Sequence, residues 1–168
     1  MDSISDDYEK DIVRYAAMLH DVCDHKYPNS ISKDDLYGFI TSNLGKTKSD
    51  RIQSIIDNVS YSKEARGQRE TLPEPDQTYL TALSDGDRIE ALGYGGVLRC
   101  KEFSRAKYGC TCAKSVEDCS CVDSYVMEHM HEKLLKLYDH FIVTKKGKEL
   151  ALPLHQELVD YVHLKTAK

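Results

Sequence analysis

The sequence has no tryptophan, only three phenylalanines and four prolines, and no apolar run near the about 20 residues that a membrane-spanning helix needs. It also lacks a basic excess: 23 Lys and Arg stand against 28 Asp and Glu, a formal net charge of −5 at pH 7. Nucleic-acid binding irrespective of sequence requires a basic surface, so this balance argues against that class, and we expect no sequence-specific nucleic-acid partner. A local basic pocket for a phosphorylated small molecule remains compatible with it.

The first residues, MDSISDDYEK, are acidic and polar, so we expect no secretory signal. We therefore expect no membrane association and a cytoplasmic location. In that compartment we expect the six cysteines to be thiols or metal ligands rather than disulfides. A length of 168 residues fits one compact domain and leaves the oligomeric state open.

Alternating apolar residues are absent as well, which excludes long half-buried strands. Apolar residues recur instead at helical spacing, and we predict an all-α fold, a single-domain helical bundle over residues 1–168. Exposed loops are expected at 60–77 and at the cysteine-rich stretch 109–121. Pro153 either kinks the last helix or marks a false start. The expected helices cover residues 7–25, from the Ser32 capping box to 44, 50–59, 79–92, 97–108, 123–141 and 144–165.

The stretch LHDVCDHKY concentrates ionisable groups on an apolar helical repeat. Asp24 follows His20 by four residues and Asp21 by three, so a helix would place the three side chains on one face. An imidazole with carboxylates suits a divalent cation such as Mn²⁺, Fe²⁺ or Mg²⁺. At least one further ligand must come from elsewhere, and the distant segment SDGDRIEALG supplies acidic candidates.

These two segments resemble the His-Asp segment and the distal Asp segment of the HD-domain phosphohydrolases. IIDNVSYSK and EHMHEKLLKLYDHFIVTKKGKELA resemble two further segments of a compact branch that includes nucleotide pyrophosphohydrolases. The resemblance covers residues 11–162. It implies a helical bundle of the HD-domain type and a divalent-metal-dependent phosphohydrolase that acts on a nucleotide or a related small phosphate ester.

The resemblance also implies a role for eight residues. Arg88 has an alternative, which is an ion pair with Asp85. For the three implied metal ligands the alternative is a helix cap or a structural ion pair, for the implied catalytic pair it is an exposed ion pair at a helix end, and for His129 and Lys133 it is a solvated helix face. The implied ligands of a divalent metal (Mn, Mg, Fe or Co) are His20, Asp21 and Asp87, the implied catalytic residues are Asp24 and Lys26, and the implied substrate-binding residues are Arg88, His129 and Lys133.

Two positions depart from the family pattern. The family's first metal ligand is a His on an earlier helix, whereas no His precedes His20 here. That ligand is absent, replaced by another residue, or located upstream of Met1. Leu154 stands where the branch usually has a basic residue. The alternative function is therefore a degenerate HD domain that binds a nucleotide or a protein partner without turnover.

The segment GCTCAKSVEDCSCVD contains two C-x-C pairs separated by six residues. Four thiolates so arranged are candidate ligands of a structural Zn²⁺ that would pin the loop, although C-x₂-C is the more usual spacing. Free surface thiols and a reversible disulfide are the alternatives, and the family resemblance offers no counterpart. The candidate zinc ligands are Cys110, Cys112, Cys119 and Cys121.

Overall fold

The computed structural model describes residues 7–24 and 29–167. Within these ranges it contains helices and no strand, which confirms the all-α prediction. None of the described helices is both long and apolar enough to span a membrane. Two π-helical segments, Met130–Leu134 and Leu137–Phe141, follow α7. The α-helices are α1 (Asp7–Leu19), α2 (Lys33–Leu44), α3 (Lys46–Val59), α4 (Tyr61–Ala65), α5 (Asp76–Glu90), α6 (Gly93–Lys107), α7 (Asp123–His129) and α8 (Lys145–Thr166).

The helices form two compact units, and the division falls within α5, between Ser84 and Asp85. In the first unit α1 and α2 both pack against α3. Their apolar stripes, spaced three and four residues apart, meet the beginning of α5 in one core. The buried residues of this core are Ile12, Ala16, Leu36, Ile40, Ile52, Ile55, Val59, Tyr79 and Leu80.

An ion triad also joins three helices of the first unit. The Arg51 guanidinium in α3 donates to both carboxylate oxygens of Glu9 in α1, each at 2.8 Å. It also donates to Asp76 in α5, with a shortest distance of 2.6 Å. Hydrogen bonds from Arg51 hold the pKa of Glu9 below its usual 4.5. The triad fixes the first turns of α1 and α5 to α3, with a fork of parallel hydrogen bonds that a planar guanidinium provides.

We expect Arg51→Met to lower the free energy of unfolding by about 1–3 kcal/mol, because two carboxylates lose their shared partner in a partly buried site. Equilibrium urea denaturation measures the change. Lys46→Met, which removes the exposed pair with Asp50, serves as the control and should unfold like the native chain.

The effect of Arg51→Met should also depend on pH. The folded-state pKa of Glu9 lies below 4.5, so its contribution is present above that pH and is lost as the pH falls through the lowered value. The difference in free energy of unfolding between the native chain and the variant should therefore become smaller in acid. A difference that stays constant from pH 7 to pH 3 would contradict the role of the ion triad.

In the second unit α6 packs against α8 and α7. The chain is helical without interruption from Asp123 to Phe141, as the apolar spacing predicts, but it includes the two π-helical segments. A π-helical turn is closed by a hydrogen bond that spans one residue more than in an α-helix. An apolar spacing of three and four residues does not reveal this difference. The buried apolar residues of this unit are Leu92, Val97, Cys119, Val122, Val126, Met130, Leu134, Leu137, Ile142, Ala151, Leu158 and Val162.

The beginning of α8 is held by a buried carboxylate. Asp85, only 2% exposed, accepts hydrogen bonds from the Val143 and Thr144 backbone N–H groups at 3.0 and 2.8 Å. It also accepts one from the Thr144 hydroxyl at 2.6 Å, and Thr144 itself caps the Gly147 N–H. A Cβ at Gly147 would lie 2.4 Å from an Asp85 carboxylate oxygen. Position 147 therefore needs glycine for close approach.

Several predicted boundaries are wrong. The first helix ends at Leu19 instead of residue 25, because turn hydrogen bonds such as Asp24 N–H to Asp21 O replace the helical pattern. The expected loop 60–77 contains the short α4. Helix α3 begins earlier than predicted, after Gly45 at φ 79°.

Helix α6 also begins earlier than predicted, because a side chain from far along the chain completes its N-terminus. The Tyr94 N–H donates to a Glu157 carboxylate oxygen at 2.9 Å, a partner 63 residues away that local capping rules do not find. Pro153 does not mark a false start, since the helix continues from Lys145 to Thr166, and the alternative of a kink stays a prediction. Burial of Ala151 and Leu158 on the two sides of the proline favours the uninterrupted helix despite the lost N–H.

Candidate functional site

His20 and Asp21 lie directly after the end of α1. The His20 Nδ1 is 2.9 Å from the Ala17 carbonyl oxygen, and its Nε2 is 3.4 Å from an Asp21 carboxylate oxygen. A carbonyl oxygen only accepts, so Nδ1 carries a proton and donates. The His20 side chain is 19% exposed and that of Asp21 is 60% exposed. The pair therefore stands at a surface that small molecules reach.

The hydrogen bond to Ala17 determines which nitrogen of His20 is able to bind a metal. In the neutral imidazole the lone pair then resides on Nε2, the atom that faces Asp21. Two ligands about 2.1 Å from one metal are about 3.0 to 3.4 Å apart in octahedral or tetrahedral geometry. The 3.4 Å between Nε2 and the carboxylate fits that range. A backbone carbonyl that orients a His through its other nitrogen is typical of metal sites.

Asp24 does not share a helical face with His20, because α1 has ended before either residue. Its backbone N–H donates to the Asp21 carbonyl at 3.0 Å, which places both acidic residues in one tight turn. The implied catalytic role of Asp24 remains a prediction. Lys26 lies outside the described residues.

Asp87 and Arg88 occupy the last turn of α5. Arg88 is 2% exposed and donates to the Phe141 carbonyl oxygen at 2.5 Å, while its guanidinium stacks 5.8 Å from the centre of the Phe141 ring. These contacts hold the end of α5 to the second π-helical segment, and Asp85 is used at the start of α8. A structural role for Arg88 is thus visible, and its implied contact with substrate remains a prediction.

His129 and Lys133 lie at the end of α7 and in the first π-helical segment. Burial lowers the pKa of His129 below 6.5, and the positive charge of Lys133 acts in the same direction. His129 is therefore a neutral imidazole at pH 7, and the positive charge of the pair belongs to Lys133. If they bind a phosphorylated substrate, His129 contributes a hydrogen bond and Lys133 the charge.

The four predicted zinc ligands are brought together by the loop between α6 and α7. Cys110 and Cys112 sulfurs are 3.5 Å apart, and the Cys119 sulfur is 3.7 and 3.4 Å from them. With Cys121, all four sulfurs lie within 4.8 Å of one another. Cys119 is fully buried and Cys121 is exposed. The cluster therefore stands at the base of the loop with one side open to solvent.

The crowded thiols have unequal proton affinities. Hydrogen bonds from the Cys112 backbone and from neighbouring thiols lower the pKa of Cys110 to about 7. The adjacent sulfurs raise the pKa of Cys121 to about 12 and also raise that of Cys112. One thiolate is thus stabilised near neutral pH, and its charge opposes further deprotonation.

Sequence reasoning missed Lys101, which anchors this loop. The side chain is 3% exposed, and its ammonium donates to the Glu117 and Cys119 carbonyl oxygens at 2.8 and 3.1 Å. It also lies 3.4 Å from an Asp123 carboxylate oxygen. A signal was present, because Lys101 follows the buried Val97 by four residues on α6. A lysine on an apolar face indicates a charge with dedicated partners.

No protein-family model matches the chain. The chain is 29% identical over 158 residues to the uncharacterized protein YpgQ of Bacillus subtilis (strain 168), a match that covers 90% of this chain and 69% of YpgQ. The crystal structure of Bacillus subtilis YpgQ matches with a TM-score of 0.67 and 28% identity, over 91% of this chain and 73% of that chain. The match supports the all-α fold.

A second solved structure shows Bacillus subtilis YpgQ in complex with ADP. It matches with a TM-score of 0.66 and 27% identity, over 93% of this chain and 75% of that chain. Bacillus subtilis YpgQ is thus a nucleotide-binding protein in that crystal.

Proposed function

We propose that this chain is a divalent-metal-dependent phosphohydrolase of the HD-domain type that acts on a nucleotide or a related small phosphate ester. His20, Asp21 and Asp87 are the metal ligands in this proposal. The orientation of the His20–Asp21 pair carries it, since the protonated Nδ1 is held by Ala17 and Nε2 is turned towards a carboxylate at 3.4 Å.

The substrate class is supported by the ADP complex of Bacillus subtilis YpgQ. Nucleoside phosphates carry several negative charges, and the chain offers a cation in Lys133, on the same helical stretch as His129. A neutral His129 is able to donate a hydrogen bond to a phosphoryl oxygen, while Lys133 provides the positive charge. A nucleotide substrate also agrees with the net charge of −5, because small-molecule binding needs only a local basic site.

A divalent metal, when bound, polarises a phosphoryl oxygen and lowers the pKa of a coordinated water. The Ala17 carbonyl keeps His20 in the tautomer that presents the Nε2 lone pair. Asp21 supplies a negative charge beside it, and Asp24, in the same turn, is the carboxylate that accepts a proton from the attacking water. The backbone hydrogen bond from the Asp24 N–H to the Asp21 carbonyl oxygen keeps both residues in one turn.

The second candidate function is nucleotide binding without hydrolysis. The ADP complex of Bacillus subtilis YpgQ favours this class as well, since it demonstrates binding in that protein. The two candidates differ in turnover: a binding module retains the nucleotide unchanged in the presence of any metal, whereas an enzyme releases phosphate or pyrophosphate.

The test is a panel of ribo- and deoxyribonucleoside mono-, di- and triphosphates with Mn²⁺, Mg²⁺ or Co²⁺, in which phosphate and pyrophosphate release are both measured. Nucleotide binding is measured in parallel by calorimetry. Metal-dependent release by the native chain supports the enzyme. Binding of nucleotide with no release under any metal would reject it in favour of the second candidate.

A further inference from the structure

We infer that Cys110, Cys112, Cys119 and Cys121 bind one structural Zn²⁺, separate from the metal of the proposed active site. The four sulfurs lie within 4.8 Å of one another. Four sulfurs at about 2.3 Å from a tetrahedral zinc are about 3.8 Å apart. The measured separations of 3.4 to 3.7 Å among Cys110, Cys112 and Cys119 are close to this value.

The geometry favours an ion over disulfides. A disulfide requires two sulfurs about 2.05 Å apart and has no need of a third or fourth. Here each of three sulfurs is in contact with the other two, and all six cysteines are free thiols. The remaining two, Cys23 and Cys100, lie outside the cluster. The C-x-C spacing, tighter than the usual C-x₂-C, still brings Cys110 and Cys112 to 3.5 Å.

The surroundings suit the charge of a four-thiolate zinc centre. Such a centre has a double negative charge, which positive groups and backbone donors stabilise. Arg105 donates to the Cys112 carbonyl oxygen at 3.2 Å, and the buried Lys101 ammonium donates to the Cys119 carbonyl oxygen at 3.1 Å. Both cations donate hydrogen bonds to carbonyl oxygens of ligand residues. They therefore orient the loop and also offset the negative charge of the zinc centre.

The zinc would connect three helices of the second unit. Lys101 belongs to α6 and contacts Asp123 at the first position of α7. Asp123 also pairs with Lys165 of α8 at 2.7 Å. A bound ion at the base of the loop holds the carbonyl oxygens on which Lys101 depends, and therefore stabilises the junction of α6, α7 and α8.

The test is the metal content of the full chain purified without chelator, measured by mass spectrometry together with the number of reactive thiols. We expect one zinc per chain that a thiol-reactive mercurial releases. Cys110→Ser and Cys121→Ser should each reduce zinc content by about tenfold after dialysis, since a lost thiolate ligand weakens binding strongly. Cys121 is exposed, so its variant separates loss of a ligand from failure to fold. Cys23→Ser and Cys100→Ser are matched controls that should retain zinc.

Zinc affinity should also fall as the pH decreases, because protons compete with the metal for the cysteine thiolates. Zinc-free protein with all six thiols titratable, a pair of disulfides in the cluster, or iron in the cluster would each overturn the inference. Asp21→Ala distinguishes this site from the proposed active site, since it should leave the cysteine-bound zinc in place whether or not the chain hydrolyses nucleotides.

Discussion

Asp21→Ala is expected to abolish metal-dependent nucleotide hydrolysis, with a decrease in kcat/KM of at least about 100-fold. Removal of a group that only orients a metal ligand already costs about 10- to 100-fold, and in the proposed site Asp21 is itself a ligand. The Asp21 carboxylate lies 3.4 Å from the His20 Nε2 and its side chain is 60% exposed. Its removal should therefore affect the metal without disturbing the core.

Two measurements separate this explanation from a loss of folding. The variant should retain the native melting temperature in the absence of metal, and should bind Mn²⁺ more weakly in calorimetry. Asp34→Ala, which removes an exposed carboxylate from the first turn of α2, is the matched control and should keep full activity. Asp87→Ala should lose as much activity as Asp21→Ala. Native rates in both the Asp21 and the Asp87 variants would rule out the assigned ligands.

Asp85→Ala is expected to cause the largest loss of stability, about 2–4 kcal/mol in the free energy of unfolding. Three donors converge on the Asp85 carboxylate: two backbone N–H groups and the Thr144 hydroxyl. Hydrogen bonds to a charged group each contribute about 1.5–3 kcal/mol. The expected loss is smaller than their sum, because Val143 is exposed and water can hydrogen-bond to its N–H group in the variant. The negative charge of the Asp85 carboxylate also interacts favourably with the positive end of the helix dipole at the N-terminus of α8.

Chemical denaturation measures this change, and Asp85→Asn is a second, milder variant for the same measurement. Asparagine keeps one acceptor oxygen but turns an amide donor towards the same N–H groups, so an intermediate loss is expected. Asp160→Ala, on the exposed surface of α8, should unfold like the native chain. Equal stability of Asp85→Ala and the native chain would show that Thr144 caps α8 without help from α5.

Several features were predictable because they depend on local sequence. The helical spacing of apolar residues predicts the helices and the absence of long strands, and the Ser32 capping box is present, with its hydroxyl accepting from the Asp35 N–H at 3.1 Å. The helical stretch 123–141 was also predicted with both ends correct. Local periodicity succeeds here because each buried stripe repeats within a single element.

The failures occur where a partner is distant in sequence. Arg88 donates to the Phe141 carbonyl oxygen, 53 residues away, a contact that the sequence did not predict, while its predicted contact with phosphate stays a prediction. Asp85 holds the beginning of α8. No pattern around either residue specifies these partners, because a buried charge takes whichever acceptor or donor the packing of other helices supplies.

By itself the sequence determined the helical class, the candidate metal ligands and the cysteine pairs, since these follow from residue type and spacing. Only the tertiary structure decided that α1 ends before His20, that the His20 Nε2 faces Asp21, and that four cysteine sulfurs lie within 4.8 Å. The reason is physical: residue types define which bonds are available, whereas backbone turns and long-range packing define which atoms meet. Lys101, buried on an apolar helical face and satisfied by a loop 16 to 18 residues away, is the plainest example.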